Sequence, residues 1–140
     1  MIAKGTPVEA RVYPEITRQQ LRDYAKASTD QNPIHLDDEA ARSNGLSGVI
    51  VHGMLIAALV GNRAQEFQSE SFKDLGGAAA WFISRFQIRF KAMTVPGESI
   101  RVGGQVKLVS EKEVVLDLKA TNESGEIKTM GSVAFARMGA

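Results

Sequence analysis

Apolar residues recur along this chain with two periods, every three to four residues in the first half and every second residue in the last sixty. A short extended segment at 8–12 comes first. Thr17 then stands where a helix cap is needed, with Gln20 three residues on as its reciprocal partner, and a helix follows to about residue 27. Within it Leu21, Tyr24 and Ala25 share one face, while Arg18, Arg22 and Lys26 line the other. Pro33 lacks an amide donor and pushes Asn32 towards extended backbone, so residues 30–37 form a loop. Asp37 can cap a brief helical turn at 38–42 that stops near Asn44 and Gly45.

From Gly53 to about residue 67 the pattern changes again. Met54, Leu55, Ile56, Ala57, Ala58, Leu59 and Val60 are apolar all round, the composition of a helix surrounded by protein, so this segment is expected to be a buried central helix. Residues 66–77 are polar and end in Gly76 and Gly77, which reads as a long surface connection with room for a local turn of helix. Everything beyond is strand. Trp81, Ile83, Phe86, Ile88 and Phe90 alternate with polar residues, with one slip of phase near Ser84 and Arg85 that predicts a bulge. Pro96 and Gly97 make a turn before Ile100, Val102, Val106 and Leu108. Hairpin turns at 111–113 and 122–125 separate strands at 114–120 and 127–137. The second half therefore predicts a four-stranded antiparallel meander, and with the helix an α+β fold in which a sheet curls about it or carries it on one open face.

Length and charge narrow the class. The 140 residues suit one domain, 1–140, with no repeat or linker to divide it. Seventeen basic and sixteen acidic residues are interspersed to a net charge of +1, which argues against a nucleic-acid partner. The apolar run MLIAALV is too short to span a bilayer and the N-terminus lacks a signal-peptide core, so a soluble, cytoplasmic protein without a membrane partner is expected. The absence of cysteine excludes disulfides, thiolate metal sites and a cysteine nucleophile, and no serine stands in a G-x-S-x-G setting.

The candidate chemistry lies in one stretch. DQNPIHLD places Asp30 and His35 on irregular backbone around the rigid Pro33, and the second of the chain's two histidines follows at His52 in VHGM. A histidine titrates near neutrality and a buried aspartate can be tuned upward, so the pair could do acid/base work. Asp30 and Asn32 could equally close a turn through their side chains, with His35 as a satisfied core histidine. Gly53 opens the apolar helix, whose first amides have no partner within it. A carbonyl oxygen could approach there, although an ordinary helix-start glycine beside a capping His52 fits the same letters. His35, Asp37 and His52 could in principle ligate a metal, but no H-x-x-x-H or H-x-H spacing accompanies them. Arg85, Arg89 and Lys91 could meet a phosphate or form a solvated sheet face.

The run YAKASTDQNPIHLDDEAAR, followed by GVIVHGMLIAAL and less distinctly by FKAMTVPGESI, resembles the MaoC-type dehydratase and (R)-specific enoyl-CoA hydratase family. Tyr24, Asp30, Asn32, Pro33, Ile34, His35 and Asp37 fill the places of its signature. The resemblance implies a hot-dog fold, an antiparallel sheet wrapped about a long central helix. It also implies reversible hydration of a trans-2-enoyl thioester, carried on coenzyme A or acyl carrier protein, to the (R)-3-hydroxyacyl thioester. Asp30 and His35 would be the catalytic dyad, the Gly53 N–H would hold the thioester oxygen, Asn32 would orient the loop, and His52 would belong to the same oxyanion and substrate-binding group. No cofactor and no metal are expected. A homodimer is implied, with a heterodimer open. Thr29 stands where the family often has glycine. Gly61 stands where some hydratases carry a hydroxyl, a likeness to the dehydratase subunits of fatty-acid elongation systems, which can pair with a non-identical partner. A noncatalytic acyl-channel subunit and a hot-dog thioesterase are the rival functions.

Overall fold

The structure, a computed structural model, describes residues 1–140. The chain runs β1 (Pro7–Tyr13), α1 (Arg18–Ser28), a 3-10 turn (Pro33–His35), α2 (Asp38–Ser43), α3 (Gly53–Ser71) and two more 3-10 turns. Then come β2 (Trp81–Phe90), β3 (Ile100–Val109), β4 (Glu113–Thr121) and β5 (Ile127–Arg137). All five strands form one antiparallel sheet in the order β1-β3-β4-β5-β2. Helix α3 packs against β2, β3, β4 and β5, so the α+β arrangement of a sheet around a central helix is present.

The local signals act as the residues dictate. Thr17 Oγ1 accepts the Gln20 N–H at 3.1 Å and starts α1, although the reciprocal bond from the Gln20 side chain is not formed. Asp37 accepts the Glu39 N–H at 3.0 Å and starts α2. The expected slip in β2 is a register shift between Ile83 and Arg85. That shift lets Trp81 and Ile83 before it, and Ile88 after it, all turn towards the core.

Three expectations need correction. First, α3 runs to Ser71, so part of the presumed surface connection is helix; Asn62 bonds Glu66 four residues on and keeps the polar turns helical. Second, α3 is not enclosed. Leu55, Ile56, Ala57, Val60, Ala64 and Phe67 are buried against the sheet, but Met54 is 61% exposed and Ala58 also faces outwards, because one sheet covers only one side of a helix. Third, only β3, β4 and β5 form the meander; β2 pairs with β5, at the far edge from β1.

The third difference has a cause in residues 91–99. This segment crosses past the start of α3 and delivers β3 beside β1, pinned by Val51 N–H to the Thr94 carbonyl (2.8 Å) and by paired backbone bonds between Ile16 and residues 97–98. Lys128, only 3% exposed, clamps it further: its ammonium donates to the Met93 carbonyl at 2.8 Å and pairs with Glu98 at 3.1 Å and with Glu126. Glu98 also accepts from Asn122 (2.7 Å) and from the Val95 N–H (2.9 Å). Burial alone would raise the Glu98 carboxyl. The bonds from Asn122, Val95 and Lys128 outweigh it, and the pKa ends below the ordinary carboxylate value.

A depressed folded pKa contributes stability above the unfolded value, and that contribution is lost as pH falls through the folded pKa. Glu98→Gln should therefore cost about 2 kcal/mol at neutral pH, the scale of a charge-assisted hydrogen bond. The gap from wild type should close on acidification below the carboxylate range, as read by urea denaturation across pH.

Candidate active site

The site is built from a chain of small side-chain-to-backbone bonds in residues 28–52. Helix α1 ends at Thr29, whose φ of 65° makes it the only non-glycine residue with left-handed backbone. That turn sends Asp30 back across the loop. Ser28 Oγ accepts the Asp30 N–H (3.1 Å), Asp30 Oδ1 the Asn32 N–H (3.3 Å) and Asn32 Oδ1 the Ile34 N–H (3.2 Å). Pro33 enters the 3-10 turn at its first position, where no amide donor is needed. Farther on, Asp38 ties down the return segment by accepting the Val49 N–H at 3.0 Å while paired with Arg18 at 3.0 Å. These bonds hold its carboxyl below the ordinary range.

The two histidines meet at the centre of this loop. Their rings stack with centroids 3.9 Å apart at 23°, and Tyr24 packs edge-on to His52 at 4.8 Å. His35 Nδ1 lies 2.8 Å from the Ile50 carbonyl and His52 Nε2 lies 3.1 Å from the Asp30 carbonyl. A carbonyl can only accept, so each of these nitrogens carries the proton. In the neutral rings His35 therefore keeps its lone pair on Nε2, which faces Asp30 Oδ2 at 3.8 Å. His35 is 8% exposed, while the Asp30 side chain is 52% exposed. One partner is fixed in protein and the other reaches solvent, an arrangement that can take a proton from a water bridging the two from the side.

His52 caps α3 through its backbone only, with no side-chain bond to the first turn, so the amides opening that helix at Gly53 and Met54 have no side-chain partner. The helix dipole adds positive potential there. A Cβ at Gly53 would stand 3.1 Å from the Phe90 ring, so Phe90 walls one side of the helix start and glycine keeps the gap open.

Of the residues singled out from sequence, Asp30, His35 and His52 come together with their ligating atoms within 4.8 Å, and Gly53 follows directly in the chain. Asn32 closes the loop through its Oδ1. His52 is 1% exposed, and its Nε2 is bonded inwards to the Asp30 carbonyl. Asp37 is spent as the α2 cap. The trio Asp30, His35 and His52 makes a poor metal site, because one nitrogen of each ring is committed to a carbonyl and the stacked rings hold their remaining in-plane lone pairs in separate, nearly parallel planes. Arg85 pairs with Glu113 at 3.8 Å, and Arg89 lines a groove with Gln105, Asp117, Lys119 and Ser132 that neither Asp30 nor His35 borders. Sequence reasoning missed Tyr24 as a packing partner of His52 and Phe90 as a wall. The alternation of β2 places Phe90 on the helix side and is the one signal that could have found it.

The MaoC like domain family matches residues 2–126 of the chain. Fatty acid synthase 2 of Mycosarcoma maydis is 30% identical over 115 residues, 80% of this chain but only 3% of that much longer protein. Among solved structures, the ChsH1-ChsH2 complex of Mycobacterium tuberculosis superposes with a TM-score of 0.81 at 14% identity, over 98% of this chain and 99% of that one. The (R)-hydratase of A. caviae gives 0.75 at 22% identity, over 96% of both. The chain belongs to the MaoC-like domain family, and its fold is the hot-dog fold.

Thr29 offers a direct check on the loop. A β-branched residue in left-handed backbone stores roughly 1–3 kcal/mol of strain, against about 0.5–1 kcal/mol of extra unfolded-chain entropy for glycine. Thr29→Gly should raise stability by about 1 kcal/mol in thermal or urea unfolding; a loss would mean that residue 29 is not held left-handed.

Proposed function

We propose that this MaoC-like domain catalyses the reversible hydration of a trans-2-enoyl thioester, on coenzyme A or acyl carrier protein, to the (R)-3-hydroxyacyl thioester. The observation that carries the reading is the 3.8 Å gap between Asp30 Oδ2 and the unprotonated Nε2 of His35, directly beside the uncapped start of α3. A water seated beside the pair, about 2.8 Å from each atom, would be within hydrogen-bond reach of both groups.

In hydration the water oxygen bonds to C3 as Asp30 takes its proton. The C2–C3 π electrons move towards the thioester, whose oxygen becomes an enolate facing the Gly53 N–H and the positive end of α3. The enolate then collapses, and C2 takes a proton from His35 Nε2. One proton thus passes from water to Asp30, across the pair as it closes to hydrogen-bond distance, and on to C2; the hydroxyl stays at C3. Ile50 keeps the far nitrogen of His35 protonated throughout, so the ring can gain and lose its proton only at Nε2.

The homodimer is part of the same proposal. Met54 on α3 and Phe86 and Phe90 on the edge strand β2 are 61%, 39% and 52% exposed, an apolar strip bordering the helix start that a second subunit would cover. A non-identical partner would serve equally, and ChsH1-ChsH2 is such a complex. Against a thioesterase, the first acid along α3 is Glu66, thirteen residues and about 20 Å beyond Gly53. It is already bound to Arg11 at 2.7 Å and to Asn62.

Crotonyl-CoA mixed with the protein should lose its enoyl absorbance without releasing thiol. Released thiol would mean a thioesterase, and no change a noncatalytic subunit. Asp30→Asn and His35→Gln should each lower hydration at least about 100-fold, the scale of general acid–base catalysis. Near-normal turnover in either variant removes that residue from the reaction.

A further inference from the structure

His52 has no step in the proposed reaction, yet it is the most constrained polar side chain of the site. It is 1% exposed, and its Nδ1 has no hydrogen-bond partner at all. An apolar ring would fill this space without burying an unpartnered nitrogen, so packing alone does not account for an imidazole. The position is also the N-cap of a nineteen-residue helix, where a serine, threonine or aspartate would bond the first turn. His52 makes no such bond and reaches back twenty-two residues to the Asp30 carbonyl.

Each part of the ring meets a different piece of the site. The Nε2–H holds the backbone of Asp30, one face lies against His35, and the edge of Tyr24 closes another side. Its own carbonyl accepts the Leu55 N–H at 3.1 Å and so begins the helix turn that presents Gly53. The proton-handling pair and the helix start are thereby registered through a single residue.

We propose that His52 is a positioning residue: a neutral imidazole, protonated on Nε2, that sets the distance and orientation of Asp30 and His35 relative to each other and to the start of α3. The inference rests on the hydratase reading for its catalytic consequence, but the contact itself can be read without substrate. It also gives the two histidines opposite tautomers, His35 with its proton on Nδ1 and His52 on Nε2.

The test pairs nitrogen-15 histidine spectra of the substrate-free wild type with kinetics of two variants. Opposite tautomers near neutral pH are expected; a proton on Nδ1 of His52, or a doubly protonated ring, would overturn the proposal. His52→Phe keeps an aromatic ring against His35 but has no donor. It should melt near the wild type and lose at least about tenfold in kcat on crotonyl-CoA, with KM within about twofold. His52→Gln, which restores an N–H donor, should recover part of that loss. A folded His52→Phe with kcat within twofold of wild type refutes the positioning role. If His52→Phe fails to fold, His52→Gln must still outperform His52→Ala, and equal turnover of those two refutes it as well. Should the wild type prove inactive on enoyl thioesters while the opposite tautomers are observed, the hydratase reading falls and the registration of the pair by His52 stands.

Discussion

The stack of His35 on His52 is the contact on which the site depends, because it joins residues 30–35 to residues 50–52, the two stretches from which the site is built. Each ring is oriented by one carbonyl, Ile50 for His35 and Asp30 for His52, and each carbonyl belongs to the segment that carries the other ring. The two bonds and the stack form a closed loop of constraints. An imidazole held at both face and edge loses little freedom when a substrate arrives, which is the condition for positioned acid–base chemistry. Asp30 remains half exposed at the rim, so water can still enter.

The surrounding fold maintains that contact from two directions. On one side α1 and α2 fix the ends of the loop through Thr17, Asp37 and Asp38, three short polar side chains that each satisfy a backbone donor. On the other, the crossover at 91–99 accepts the Val51 N–H through Thr94 and is itself held by the buried Lys128 and its carboxylates. Lys128 is thereby tied to Asp30 and His35 through two backbone segments. Desolvating Lys128 is offset by Glu126 and Glu98, which leave its pKa raised.

How much of this was legible in the sequence follows from the range of each interaction. Caps, the β2 bulge and the proline-broken loop are local, and their residues announced them: Thr17, Asp37, the slip at Ser84 and Arg85, and Pro33. The place of β2 was not legible, since an alternating strand does not say which neighbour it will pair with, and the crossover that decides it is held by the long-range bonds of Lys128 and Thr94. The open side of α3 was misread for a related reason: an all-round apolar helix signals cover without saying that one sheet reaches only one side. Within the site, Asp30, His35 and Gly53 were legible mainly as parts of a family signature. The tie from His52 to the Asp30 carbonyl spans twenty-two residues and leaves no trace in spacing. Thr29 read as a plain substitution until its left-handed backbone showed why glycine is common at that place.

The central claim is that one pair, on one side of the substrate, both activates water and protonates carbon. It is tested most directly by hydrating crotonyl-CoA in deuterium oxide and determining the configuration of the product at C2 and C3 by NMR. The expected product is the (R)-3-hydroxy thioester with a single deuterium at C2, added to the same face as the hydroxyl. Addition to opposite faces would require acid and base on two sides of the double bond, and would contradict a site built on Asp30 and His35 alone.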